Sequence, residues 1–227
     1  MAFLNPTRKG YVRGTGGSSF ATSRTANGSN AYDNPGSSSS TAIQSFFSSG
    51  RGGGTHRQTR VYFHFDTSGI SGTVSSVALR VTGYSQTASD VIVLNGYNAF
   101  GGDGGTALNT DDFNEVGMGG TSQAYSSQFS AWGTSTNSIT LNSNAESRMS
   151  SNDDLTIGLI NYTHDYQNSA PTSTQSAGIA FGTNAVLTYT EAAATDVTSV
   201  NTITKSNITS YNTIAAANID ELNTLAF

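Results

Sequence analysis

Residues 60–84, RVYFHFDTSGISGTVSSVALRVTGY, constrain the fold more than any other stretch. Val61, Phe63 and Phe65 alternate with Tyr62, His64 and Asp66. A two-residue period over β-branched and aromatic side chains predicts a strand with one buried face. After a Ser/Gly-rich break at 67–72, Val77, Leu79 and Val81 alternate with Ala78, Arg80 and Thr82. That predicts a second strand, and the two are the strongest strand signals in the sequence. Asp66 is expected to fix the turn by accepting backbone N–H bonds from residues 67 and 68.

Further β signals recur along the chain, with turn residues every ten or so positions. They fall at 11–13, 41–47 (Ile43 inward), 90–99, 125–129, 139–141, 155–162, 178–181 and 185–189. The Ser/Gly/Asn-rich run 14–40 reads as a loop or linker. Two short helical turns are expected: 110–115, capped by Thr110, and 143–150, capped by Asn142 or Ser143. The pattern is all-β, a jelly-roll β-sandwich with short helical turns, spanning 1–192.

Composition narrows the setting. Only 11% of the 227 residues are charged, the net charge is -5, and Ser, Thr, Gly and Asn fill roughly half the chain. Ten Tyr and eleven Phe still supply enough aromatic area for a core. With no cysteine there is no disulfide, thiolate metal site or Cys nucleophile. The acidic balance and the dispersal of ten Lys and Arg argue against a nucleic-acid partner. No apolar run is long enough to cross a membrane, and the first ten residues lack the apolar region of a signal peptide.

From residue 193 the grammar changes to an eleven-residue repeat, VTSVNTITKSN, ITSYNTIAAAN and IDELNTLAF. Val197, Ile208 and Ile219 superpose, as do Val200, Tyr211 and Leu222, and Ile203, Ile214 and Leu225. Asn201, Asn212 and Asn223 keep register. Such a period holds an apolar stripe on one side of a helix, while the Asn, Thr and β-branched content favours a solenoid-like coil. Either conformation leaves nine apolar side chains that so short a segment cannot bury alone. The segment 193–227 is therefore expected to be an assembly or docking tail.

Candidate chemistry is sparse. His64 with Asp66, and His164 with Asp165, lack a Gly-x-Ser-x-Gly elbow, so turn-fixing outranks a hydrolase. The three histidines lack metal-ligand spacing. The loop acids Asp103, Asp111, Asp112, Asp153 and Asp154 allow Ca²⁺ only as a minority reading, and no cofactor is expected. Asp112 and Glu115 as a glycosidase pair are explained more simply by one helical turn. Trp132, Tyr162 and Tyr166 are the candidates for stacking on a sugar, with Tyr97 and Tyr125 beside them, and all rank below packing.

The motifs GYVRGTGGSSFATSR, RVYFHFDTSGISGTVSSVALRV, VIVLNGY, ALNTDDFNEVG, SITLN, LTIGLINYTHDY and VLTYT together resemble the β-jelly-roll domain of tailed-phage virion proteins and of some secreted bacterial proteins, related to the family named for a DNRLRE motif. The resemblance covers roughly residues 10–190 and implies that 60–84 is a hairpin of the jelly roll. His64 stands where that family has a small or aliphatic residue, and Asn184–Ala185 where Pro often opens the last strand. The tail is similar to the Ile-x-x-Ile-Asn-Gly-Val arrays that end many phage particle proteins, with Thr in place of Gly. The resemblance implies a non-enzymatic virion component (decoration, fibre or neck/tail accessory) whose partners are other virion proteins and its own copies. Lysis release would reconcile an extracellular-looking composition with the missing leader. The alternative is a carbohydrate-binding module contacting a host surface glycan. A polysaccharide-degrading enzyme has no catalytic constellation behind it.

Overall fold

A computed structural model describes residues 1–34, 39–51, 54–87, 89–117, 123–181 and 185–192. The repeat positions Val197 to Leu225 lie outside them. Among the described residues the architecture is an antiparallel β-sandwich of eleven strands. They are β1 (Ala2–Leu4), β2 (Arg8–Gly14), β3 (Gly28–Asp33), β4 (Ser40–Ser48), β5 (Thr55–Asp66), β6 (Val74–Thr87), β7 (Val91–Asn95), β8 (Thr136–Thr140), β9 (Asp154–Asn161), β10 (Gln175–Ala180) and β11 (Val186–Glu191). Among the described residues two α-helices interrupt them, α1 (Phe20–Thr25) and α2 (Ser143–Ser151), together with shorter helical turns.

One sheet orders β1-β11-β6-β8, and the other runs β3-β2-β5-β9-β7. β4 and β10 join them by linking the first half of β5 to the last part of β6. From β5 to β9 the chain switches sheet at each strand, as in a jelly roll.

That alternation corrects the hairpin expectation. β5 and β6 are not paired; each lies in a different sheet, and residues 67–73 cross between the two layers. The crossing is tethered at both ends. Thr67 donates its N–H to the Asp153 carbonyl (2.9 Å), while the Glu191 carboxylate accepts from the Ser71 and Gly72 amides (2.8 Å each). Asp66 accepts from the Ser68 amide at 2.9 Å and the Ser68 hydroxyl at 2.6 Å, so the turn-fixing role is as expected and is confined to residue 68.

The expectation of one buried face on β5 is also corrected. Val61, Phe63 and Phe65 enter the core between the sheets, with Val77, Leu79, Val81, Ile157, Leu159 and Trp132. The opposite face is equally buried: Arg60 and Tyr62 are fully inaccessible and His64 nearly so. The segment 96–117 drapes over that face. It brings Phe100, Leu108, Phe113 and Val116 onto Tyr62, Ile92, Leu94 and Ile160 to form a second core. Only Asp66 on this side reaches solvent.

Local chemistry accounts for the smaller differences. The run 14–40 is not only loop: Ser19 caps α1 by accepting from the Thr22 amide, and β3 pairs with β2. Residues 125–129 do not form a strand; only single bridges, Phe129 to Val91 and Ala124 to Leu94, touch β7. Thr110 caps nothing with its side chain. Asn109 does that work instead, accepting from the Asp111 amide (2.8 Å) while its own N–H donates to Asp112 (2.8 Å). Asn142 caps α2, as expected, by accepting from the Asn144 and Ala145 amides.

Candidate functional site

The second core is locked by a buried ion pair that joins distant parts of the chain. Arg60 donates Nε and Nη2 to the two Asp165 oxygens at 2.7 and 2.8 Å, the bidentate geometry in which such pairs are strongest. It also donates to the Phe113 and Arg24 carbonyls and lies 3.9 Å from the Phe113 ring centroid. Tyr62 donates its hydroxyl to the Asp112 carbonyl (2.8 Å). Burial pushes the Tyr62 phenol far above its usual range. Asp165 is thus taken by Arg60 rather than by His164, whose Nδ1 sits 2.6 Å from the Ser169 carbonyl oxygen.

Held by this base, the segment after β7 builds a cleft of about 320 Å³, lined by Asn95, Tyr97, Asn98, Asp103, Arg148 and Asp154 with the backbone of Gly101 and Gly102. Asn95 Oδ1 accepts from the Tyr97 amide at 3.0 Å, forming an Asx turn. That turn holds Tyr97 at φ 42°, and Phe100 follows at φ 60°. Two bulky residues in left-handed backbone are costly and persist only where surroundings over-determine them. Here the fully buried Phe100 ring supplies the anchor. The Tyr97 ring is 42% exposed and lies against Gly117, where an added Cβ would come within 2.8 Å of it.

The cleft mixes donors and acceptors. Arg148 donates Nη2 to both Asp154 oxygens (3.0 and 2.9 Å) and Nε to the Asp154 carbonyl, which leaves Nη1 open. Asp103 accepts from the Gly105 amide through Oδ1, so Oδ2 remains an acceptor. The side-chain amide of Asn98 makes no hydrogen bond among the described residues. Under the same loop, Gly104 (φ 75°) has no room for a side chain, because His64 ring atoms lie 2.6–3.0 Å from where its Cβ would be. Thr7 Oγ1 meets His64 Nδ1 at 2.7 Å, and Nε2 is buried without a partner. Burial lowers the pKa of this imidazole.

Of the aromatics considered from sequence for stacking on sugar, Tyr97 lines this cleft and the others are elsewhere. Trp132 is 3% exposed in the main core and donates Nε1–H to the Gly178 carbonyl (3.1 Å), so it has no free face; this candidate is corrected. Tyr162 and Tyr166 do stack, with centroids 5.7 Å apart at 26°. They are half-buried against the second core, on a single helical turn beyond Asn161. With a strand rise of about 3.3 Å, that turn is about 25 Å along β9 from Asp154. Tyr125 is buried. Among the described residues no three acids or histidines converge on a metal-sized site. Sequence alone does not group Tyr97, Asn98 and Arg148; the signal it carries is an aromatic beside a glycine run that holds an acid, YNAFGGDGG.

No family model matches the chain, and no curated protein matches it.

Proposed function

We propose that the protein is a non-enzymatic structural component of a tailed-phage virion, a jelly-roll module that joins the particle or its own copies through the repeats of 193–227. The observation that carries this reading is the in-register repeat. Its nine apolar positions need a partner surface, whereas the sandwich already closes its own two cores. The motif resemblance between residues 10 and 190 points the same way. The test keeps the chain intact and replaces Val200, Tyr211 and Leu222 together by Asp. Wild-type protein is expected to form a defined oligomer by light scattering, or to co-sediment with particles. The triple variant is expected to lose that association while keeping its melting transition. A wild-type chain that is monomeric and binds no particle removes the proposal.

A second reading, contact with a host surface glycan, is favoured by the cleft at Tyr97. An exposed ring edged by amides, a carboxylate and a guanidinium fits a neutral sugar, whose C–H face stacks while its hydroxyls exchange hydrogen bonds. Saturation-transfer NMR against envelope oligosaccharides tests it. Binding unchanged by Tyr97→Ala and Asn98→Ala discards this site.

A further inference from the structure

Among the described residues, Arg13 and Arg57 are two partly buried guanidinium groups with no acidic partner. Arg13 on β2 stands opposite Thr59 on β5, and Arg57 is two residues from Thr59 on that strand. Period-two geometry puts both on one side of the sheet as diagonal neighbours, within reach of long side chains. They continue the core-facing row of Val61, Phe63 and Phe65 beyond the end of that core. Neither makes a salt bridge or a side-chain hydrogen bond among the described residues, and the Nε–H of each is buried without an acceptor.

Aromatic rings flank both groups. Arg57 lies over the Phe46 ring (4.8 Å to the centroid) and Arg13 over the Tyr11 ring (5.9 Å), so each planar face has an aromatic neighbour. Phe46 is the direct cross-strand partner of Arg57, so register sets that stack, while Arg13 and Tyr11 are two residues apart on β2. Desolvation, then the like charge of Arg13, lowers the Arg57 pKa, and no carboxylate opposes them. Arg8, Arg24, Arg60 and Arg148, in contrast, each face an aspartate. Two buried donors and two uncompensated positive charges on adjacent strands are costly in the free protein. The cost is offset when an anion with several acceptor oxygens is bound.

We propose that Arg13 and Arg57 form a binding site for a divalent tetrahedral oxyanion, a phosphate or sulfate group. Two charges of +1 match its charge, and two guanidinium forks match its spread of oxygens better than one carboxylate would. The group is either the free ion or an ester carried on a saccharide.

The experiment is calorimetric titration of the full-length protein at constant ionic strength with inorganic phosphate, inorganic sulfate, glucose 6-phosphate and, as blanks, chloride and glucose. Saturable binding of the oxyanions and none of the blanks is expected. Arg13→Gln and Arg57→Gln should each weaken it by about tenfold or more, since each removes charge-assisted hydrogen bonds. Arg80→Gln, at an exposed position, should not. Tighter binding of the ester than of the free ion assigns the source to a saccharide; equal affinity assigns it to the ion. A response that chloride reproduces, or variants that bind like wild type, overturns the site. If a variant fails to fold, Nε–H resonances of the wild-type arginines decide. Phosphate must shift those of Arg13 and Arg57; shifts confined to Arg51 and Arg80 overturn the proposal.

Discussion

Asp165→Asn is the sharpest perturbation the structure offers. The wild-type carboxylate is 1% exposed and holds Arg60, which is fully buried, through two parallel hydrogen bonds. An amide of the same shape keeps one acceptor and presents an N–H₂ to a guanidinium that is already all donor. Arg60 remains buried, with its charge facing the Phe113 and Arg24 carbonyls and the Phe113 ring. Breaking a buried pair from one side costs about 3–5 kcal/mol. The surviving contacts and the one retained acceptor place this variant near the low end, about 3 kcal/mol. Against a total of about 5–15 kcal/mol for a domain, that is a large share. It corresponds to a drop in Tm of about 6–12 °C for a chain of this size. Trp132 is the only tryptophan and is buried, so its fluorescence in a urea titration at pH 7 reports the loss directly. The double variant Arg60→Met with Asp165→Leu removes both charges and should recover most of the stability. A cost below about 1 kcal/mol for Asp165→Asn, or a double variant no better than the single, refutes the argument that this pair locks the second core.

Other expectations rest on separate features. Trp132→Ala should cost about 3–5 kcal/mol of stability, read in urea by far-UV circular dichroism, because it opens a core cavity and orphans the Gly178 carbonyl. Gly83→Ala should cost about 2–3 kcal/mol, since its Cβ would meet the Gly133 carbonyl oxygen at 1.8 Å and backbone must move. His64 has a folded pKa depressed below 6.5 by burial. Its contribution is complete above the unfolded value and is lost as pH falls from about 6.5 towards the folded value; His64→Phe should flatten the stability profile in that window. Asp66 and Glu191 are held below 3.8 and 4.5 by hydrogen bonds from residues 68, 71 and 72. Their contribution is therefore lost only at more acid pH, and Glu191→Gln should reduce the acid-side slope of a thermal-melt series.

The alternation at 61–65 and 77–81 made both central strands legible: β6 alternates because one face meets solvent, and β5 because its two buried faces differ, one apolar and one carrying long polar side chains. Their pairing was not legible. A Ser/Gly break suits a tight turn and a crossing between layers equally well, and what decides is the tether of residue 67 to Asp153 and of residues 71 and 72 to Glu191, far away in the chain. The cleft was hidden for a related reason. Asn95, Tyr97 and Asp103 lie within nine residues, but Arg148 and Asp154 reach them only through the junction of α2 and β9.

The second face of β5 carried a signal of its own. Arg60, Tyr62 and His64 alternate with the apolar row and look like the solvent side of a strand, yet all three are buried. What covers them is a loop rather than a sheet. A loop laid on a protein surface brings carbonyl groups without a ladder to satisfy them, and each needs a donor. Arg60 and Tyr62 supply those donors to the carbonyls of residues 112 and 113. A strand whose polar face is built from long donor side chains, rather than from Ser, Thr and Lys, is therefore the expected mark of a sheet roofed by irregular chain. Tyr62→Phe tests this directly. It keeps the ring and removes one buried donor, so it should cost about 1–3 kcal/mol. A neutral result would mean that water, and not Tyr62, satisfies the loop.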